Sequence, residues 1–185
     1  MAQDRTRKIV VTGVLGAIAI LLGLTHWGFI PWFGGVSLTI MHVPVIIGAI
    51  LEGPIVGLGI GLIFGLFSML QAAIAPTGPT DVWFTNPVLS VLPRLFIGPV
   101  AWLVFNALKR WKVIGIIVGA IAGSLTNTVL VLGVIGLLGY LPWAALGGIA
   151  VINGLPEVGV SALISLLVIA AVWQLKIGKK QGSDV

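Results

Sequence analysis

Between Ile9 and Leu108 the only charged side chains are Glu52, Asp81 and Arg94. No soluble fold is built that way, because about a quarter of an ordinary globular domain is charged. Here the charged fraction is 8% of 185 residues and the hydrophobic fraction 58%. The remaining basic residues gather in three clusters: Arg5, Arg7 and Lys8; Lys109, Arg110 and Lys112; Lys176, Lys179 and Lys180. Clusters at the ends of apolar runs are the mark of membrane topology, so the net charge of +5 does not point to nucleic acid.

A spanning helix needs about 20 mostly apolar residues. The sequence predicts an all-α integral membrane protein of one domain, 1–185, with six transmembrane helices near 9–25, 37–51, 54–75, 87–108, 113–138 and 152–175. Residues 1–8 read as a retained tail, and the second span as a short helix interrupted at His42 and Pro44. The connector 139–151 has room for a short interfacial helix. Six spans put all three basic clusters on one face, which the positive-inside rule makes cytoplasmic, together with both termini. Arg94 alone among the basic residues stands apart.

Gly57, Gly61 and Gly65 recur at spacing four in the third span, as do Gly115, Gly119 and Gly123 in the fifth. Such stripes let helices approach closely, inside the bundle or against a partner. The first span carries a shorter version, Gly13 to Ala17.

A guanidinium at membrane depth costs several kcal/mol, about 2.5–3.5 on insertion scales, and so calls for a partner or a purpose. Pro93 and Pro99 flank Arg94, and prolines in a span free carbonyls that protein or a cavity must satisfy. Arg94 falls about 10 Å below the outer end of the fourth span at 1.5 Å per residue. His42, Asn127, Asn153 and Glu157 lie at depths that allow one outward-facing pocket. Arg94 then either pairs with Glu157 or meets a carboxylate on a small molecule, for which its fork suits bidentate contact. His42 reads best as a helix-end residue bonded to backbone. Asn127 suits an interhelical bond as well as a ligand contact.

Trp27, Trp32, Trp83 and Trp143 fall in loops on the face opposite the basic clusters. They fit an aromatic belt, and four on one face also fit a lid over a site. The chain has no cysteine, no phosphate-binding loop of Gly-x-x-x-x-Gly-Lys-Ser/Thr form, no Gly-x-Ser-x-Gly elbow and no His-Glu-x-x-His. No cofactor, metal site or catalytic residue is expected, and an enzyme ranks last.

Four stretches carry a resemblance: Met41 to Pro54 leading into Gly57–Gly65, Asn-Pro-x5-Pro-Arg ending at Arg94, Ser124 to Leu130, and Asn153-Gly-Leu-Pro-Glu157. Over nearly its whole length the chain resembles the substrate-binding S components of energy-coupling factor (ECF) vitamin transporters, most of all the pantothenate branch. The resemblance implies a prokaryotic cell-membrane protein that binds a vitamin from outside beneath its loops. It also implies docking on a membrane coupling (T) protein with two ATPase subunits, and toppling to release the cargo inward. Family members dock through Ala-x-x-x-Ala in the first span, where this chain has Gly13 and Ala17. Taken with the polar groups at depth and the loop tryptophans, the expected substrate-binding residues are Arg94, Asn127, Glu157, Asn153, Asn86, His42, Trp83 and Trp32. Other cargoes are folate, riboflavin, thiamin or hydroxymethylpyrimidine. A self-sufficient oligomeric channel or carrier is the competing class, disfavoured by the apolar inner halves of the spans.

Overall fold

The computed structural model describes residues 2–31, 37–76 and 78–174. Among the described residues the chain is helical apart from its connecting turns and one short β-ribbon in a loop. The first helix, α1, runs Ala2–Leu24 and is followed by β1 (Phe29–Pro31), β2 (Ser37–Thr39), α2 (Val43–Glu52) and α3 (Pro54–Ile74). A 3-10 turn at Asp81–Thr85 leads into α4 (Pro87–Ser90), α5 (Leu92–Ala107) and α6 (Lys112–Leu137). Then come α7 (Trp143–Ile149), a π-helical turn at Ala150–Gly154, and α8 (Leu155–Val172). Among the described residues five helical stretches, 3–24, 54–74, 87–107, 112–137 and 143–172, are each long and apolar enough to cross a membrane, and Val43–Glu52 is a shorter apolar helix.

Several expected boundaries move. The first helix begins at Ala2 rather than at Ile9, since nothing from Ala2 to Leu24 breaks a helix and Arg and Lys favour one. The second begins at Val43 rather than Ser37: 37–39 pairs antiparallel with 29–31, Thr39 opposite Phe29. The fourth is broken at Val91, just before Pro93. The sixth does not start at 152. It is continuous with α7, the π-turn absorbing residues 150–154 without ending the helix, so the connector is itself helical from Trp143. Leu175 lies outside the described residues.

Only ten residues long, α2 makes the second crossing together with the extended residues before it, which run from Thr39 beside Glu157 at one end of the molecule towards Glu52 beside Arg7 at the other. Every residue from Val43 to Ile50 is buried, and the helix touches α1, α3, α5, α6 and α8. A helix apolar all round is a core helix. It turns into α3 through Gly53, whose φ of 102° would strain any other residue. At this turn Glu52 Oε1 meets Arg7 Nη2 of α1 at 2.6 Å.

Both glycine stripes face inward. Gly57 of α3 abuts Gly98 of α5 so closely that a Cβ on Gly98 would lie 2.6 Å from the Gly57 Cα. Gly61 packs on the Arg94 carbonyl, and Gly65 on Ser90 and Val91. On α6, Gly115, Gly119 and Gly123 meet Leu108, Ala101 and Ile46. Gly13 of α1 has nothing within 4 Å of an added Cβ, and Ala17 is exposed beside Val14, Ile18 and Leu21.

The core divides the molecule lengthwise. Val45, Ile46, Ile60, Ile97, Ile116, Ala120 and Ile169 form one apolar cluster toward the end that carries Arg7, Lys109 and Arg110. A second, smaller cluster of Leu89, Val134, Ile135 and Leu146 lies near the other end. Between and beside them is a cavity.

Candidate functional site

Arg94 is placed by the break that precedes it. Asn86 Oδ1 accepts the Val88 N–H at 2.9 Å and caps α4, which Pro87 opens. The Ser90 hydroxyl donates to the Phe84 carbonyl and ties this short helix to the 3-10 turn. Pro93 has no N–H, so the carbonyl four residues back, that of Leu89, loses its helical donor. Arg94 Nη1 donates to that oxygen at 2.7 Å. The proline that breaks the helix thereby fixes the direction of the guanidinium.

The same side chain lies between two rings, with its Cζ 5.3 Å from the Phe64 centroid and 5.1 Å from that of Phe84. Residue exposure is 6%, and Nε is buried without a partner. Among the described residues Arg94 makes no ion pair, so the expected alternative of a bridge to Glu157 is not what forms. Glu157 Oε1 instead accepts both the backbone N–H of Thr39 at 2.6 Å and its hydroxyl at 2.8 Å. Neither charge neutralises the other. Such an arrangement leaves the cation available to an anion.

Arg94, Asn127, Asn153 and Glu157 all line one cavity of about 820 Å³, within the range of small-molecule sites. Asn127 comes from α6, Asn153 from the π-turn and Glu157 from the first turn of α8. The Oδ1 atoms of both asparagines are buried without hydrogen-bond partners, so Asn127 does not make the interhelical bond it could have made. Unpaired amides in an apolar bundle are costly unless something reaches them. Apolar walls come from Phe64, Phe84, Val131, Leu132 and Ile135, and Ser68, Gln71 and Asp81 add polar groups toward the loops.

The tryptophans separate. Trp83 lines the cavity and stacks on Tyr140, ring centroids 5.1 Å apart. Trp27 and Trp143 are 80% and 62% exposed and do not line it, as belt residues would. Trp32 lies outside the described residues.

Two expected ligand residues are elsewhere. Asn86 is a helix cap and does not line the cavity. Asn86→Ala is expected to lower stability by about 1 kcal/mol, read by thermal unfolding, and Asn86→Ser to retain most of it. His42 is fully buried behind the cavity wall, and its Nε2 meets the hydroxyls of Ser161 at 2.7 Å and Ser124 at 3.1 Å. Side chains from two other helices, not backbone at its own helix end, hold it. Sequence reasoning missed Thr39, which touches Glu157 across 118 positions, and the ring pair around Arg94. An aromatic one turn from a polar stripe was the only available signal.

Along every helix that contributes, cavity residues occupy one end and core residues the other. Arg94 precedes Ile97 and Ala101, and Asn127 and Val131 follow Ile116 and Ala120. On α8, Glu157 precedes Ile169. Apart from the fully buried His42, Ser124, Ser161 and Ser165, the cavity therefore has an apolar floor.

The family model described as the substrate-specific component of ECF transporters matches residues 7–169. A protein of Lactococcus lactis subsp. cremoris named pantothenic acid transporter PanT is 30% identical over 196 residues, covering 95% of this chain and 98% of that protein. A pantothenate transporter PanT of Leuconostoc mesenteroides subsp. mesenteroides is 34% identical over 119 residues, 62% of this chain and 58% of that one.

Proposed function

The chain belongs to the substrate-specific components of ECF transporters, multi-pass membrane proteins of transport rather than catalysis, and we propose that its cargo is pantothenate. In this reading it is a single membrane domain in the cytoplasmic membrane of a prokaryote. It takes the vitamin from the outer face and hands it to an energy module of one T protein and two ATPase subunits. The observation that carries the reading is a guanidinium that makes no ion pair among the described residues, set in a floored cavity with apolar walls beside two amides with free carbonyl oxygens.

Pantothenate matches that inventory group by group. Its carboxylate suits the Arg94 fork, its amide and hydroxyls suit Asn127, Asn153 and Glu157, and its geminal methyls suit the walls at Phe64 and Val131. Both named relatives carry pantothenate in their names, and the more fully covered one spans nearly this whole chain. The floor argues against a self-sufficient channel, which needs polar lining to both faces. Basic clusters at Arg5–Lys8 and Lys109–Lys112 support a cytoplasmic floor end and cytoplasmic termini.

For the energy module the supporting surface is α1. Gly13 and Ala17 lie open on its outer side between Val10, Val14, Ile18 and Leu21, a flat small-residue track of the kind that receives another helix.

Calorimetric titration of the purified, ligand-free chain with pantothenate tests the proposal. One-to-one binding by this chain alone is the expected result. A folded sample that gives no heat with pantothenate but binds another vitamin would replace the cargo.

A further inference from the structure

We propose that His42, Ser124 and Ser161 form a positioning node that sets the cavity's polar groups from behind; the inference rests on the pantothenate-binding reading above. The node joins three helices at one atom. His42 Nε2, at the start of α2, meets Ser124 Oγ of α6 and Ser161 Oγ of α8, and all three residues are fully buried. None of them lines the cavity. Each is nonetheless one helical turn, or three residues, from a group that does. Ser124 precedes Asn127 on α6, Ser161 follows Glu157 on α8, and His42 follows Thr39, whose N–H and hydroxyl hold the Glu157 carboxylate.

The segment from Thr39 to His42 therefore grips α8 twice, at Glu157 and one turn on at Ser161. With a single polar grip the rotation of α8 about its axis would be set by apolar packing on α2 and α6 alone, which tolerates small shifts. Two grips on one face, with Ser124 binding the same imidazole nitrogen, fix its rotation and its offset from α6 together. Those two coordinates decide where Glu157 and Asn127 sit relative to Arg94.

Stability alone does not explain the node. His42 Nδ1 is buried without a partner, and a buried polar group in that state is destabilising relative to an apolar residue of similar shape. Ser124 and Ser161 do not need the histidine either, because serines within helices bond the carbonyl four residues back. What the imidazole adds is one geometry among several that an all-apolar seam would allow.

The test is calorimetric pantothenate titration of the full chain with His42→Leu, His42→Gln, His42→Asn and Ser161→Ala, each also melted without ligand. His42→Leu is expected to weaken binding about tenfold or more with an unliganded melting temperature near that of the native chain. Glutamine places a nitrogen where Nε2 was and should recover most of the affinity. Asparagine reaches only the Nδ1 position and should not. Ser161→Ala removes one grip without altering α2 and serves should His42→Leu fail to fold; its affinity should fall about threefold or more. Glu157→Gln should weaken the native chain more than it weakens His42→Leu. The inference is overturned by unchanged affinity in His42→Leu or Ser161→Ala, by equal behaviour of Gln and Asn, or by additive effects with Glu157→Gln. If the native chain binds no vitamin, the functional reading fails and this one with it; native affinity with unaltered variants sinks this one alone.

Discussion

Arg94→Ala is expected to abolish measurable pantothenate binding while leaving a folded protein. Truncating one partner of a buried charged pair costs about 2–5 kcal/mol, or roughly thirty- to several-thousand-fold in affinity. The upper part of that range applies here. Arg94 is 6% exposed, and among the described residues no other Arg and no Lys lines the cavity. Folding should survive because the mutation breaks no ion pair among the described residues. It removes a stack on Phe64 and Phe84 and leaves the Leu89 carbonyl without its donor, a loss of about 1–3 kcal/mol. Against that, a charge no longer has to be held out of water. Arg94→Lys should lie between, keeping the charge and losing the fork. Titration and thermal unfolding of the same preparations decide it. Native affinity in a folded Arg94→Ala sample would take this residue out of the site.

Gly98→Ala should be among the most damaging single-methyl additions in the chain. Its Cβ would lie 2.6 Å from the Gly57 Cα and 2.7 Å from the Gly57 carbonyl carbon, so backbone has to yield. Overpacking of this kind costs about 1–3 kcal/mol, and Gly98→Val more. Affinity should fall as well, since Gly98 is one turn from Arg94 and α3 carries Phe64. Parting α3 from α5 separates the ring from the guanidinium it holds. Gly133→Ala is the control. A Cβ there meets nothing within 4 Å, so the change should be neutral or stabilising by up to about 1 kcal/mol. Detergent-solubilised samples compared by melting temperature and size-exclusion profile give the answer. Equal behaviour of the two alanines would mean that the helices are not in backbone contact at Gly57.

Hydropathy carried most of the architecture, because a span must hide its backbone and few alternatives exist. It failed where apolar runs are short. Residues 37–39, Ser-Leu-Thr, run without a break into the apolar helix that follows, and nothing local separates strand from helix over three residues. The break at Val91 was written in Pro93, yet its purpose lay in a carbonyl whose new partner is a side chain. Depth along a helix allowed Arg94, Asn127, Asn153 and Glu157 to meet in one outward-facing pocket, with Asn127 the deepest, since rise per residue is nearly constant. Rotation about the helix axis was not legible. It sends His42 behind the wall instead of into the cavity, and it keeps Glu157 on Thr39 instead of Arg94. Asn86 was visible as a polar residue before a proline, which is as good a cap signal as a ligand signal.

The apolar floor has an electrical consequence. Past the fully buried His42, Ser124, Ser161 and Ser165, an ion that entered the cavity would face Ile97, Ile116 and Ile46, with no water-filled path through them. Stripping an ion for such a region costs many times the thermal energy. Copies of this chain standing idle, apart from any ATPase, should therefore leave the proton and sodium gradients of their membrane intact. A cell can keep many receptors waiting for a scarce nutrient and lose no membrane potential through them.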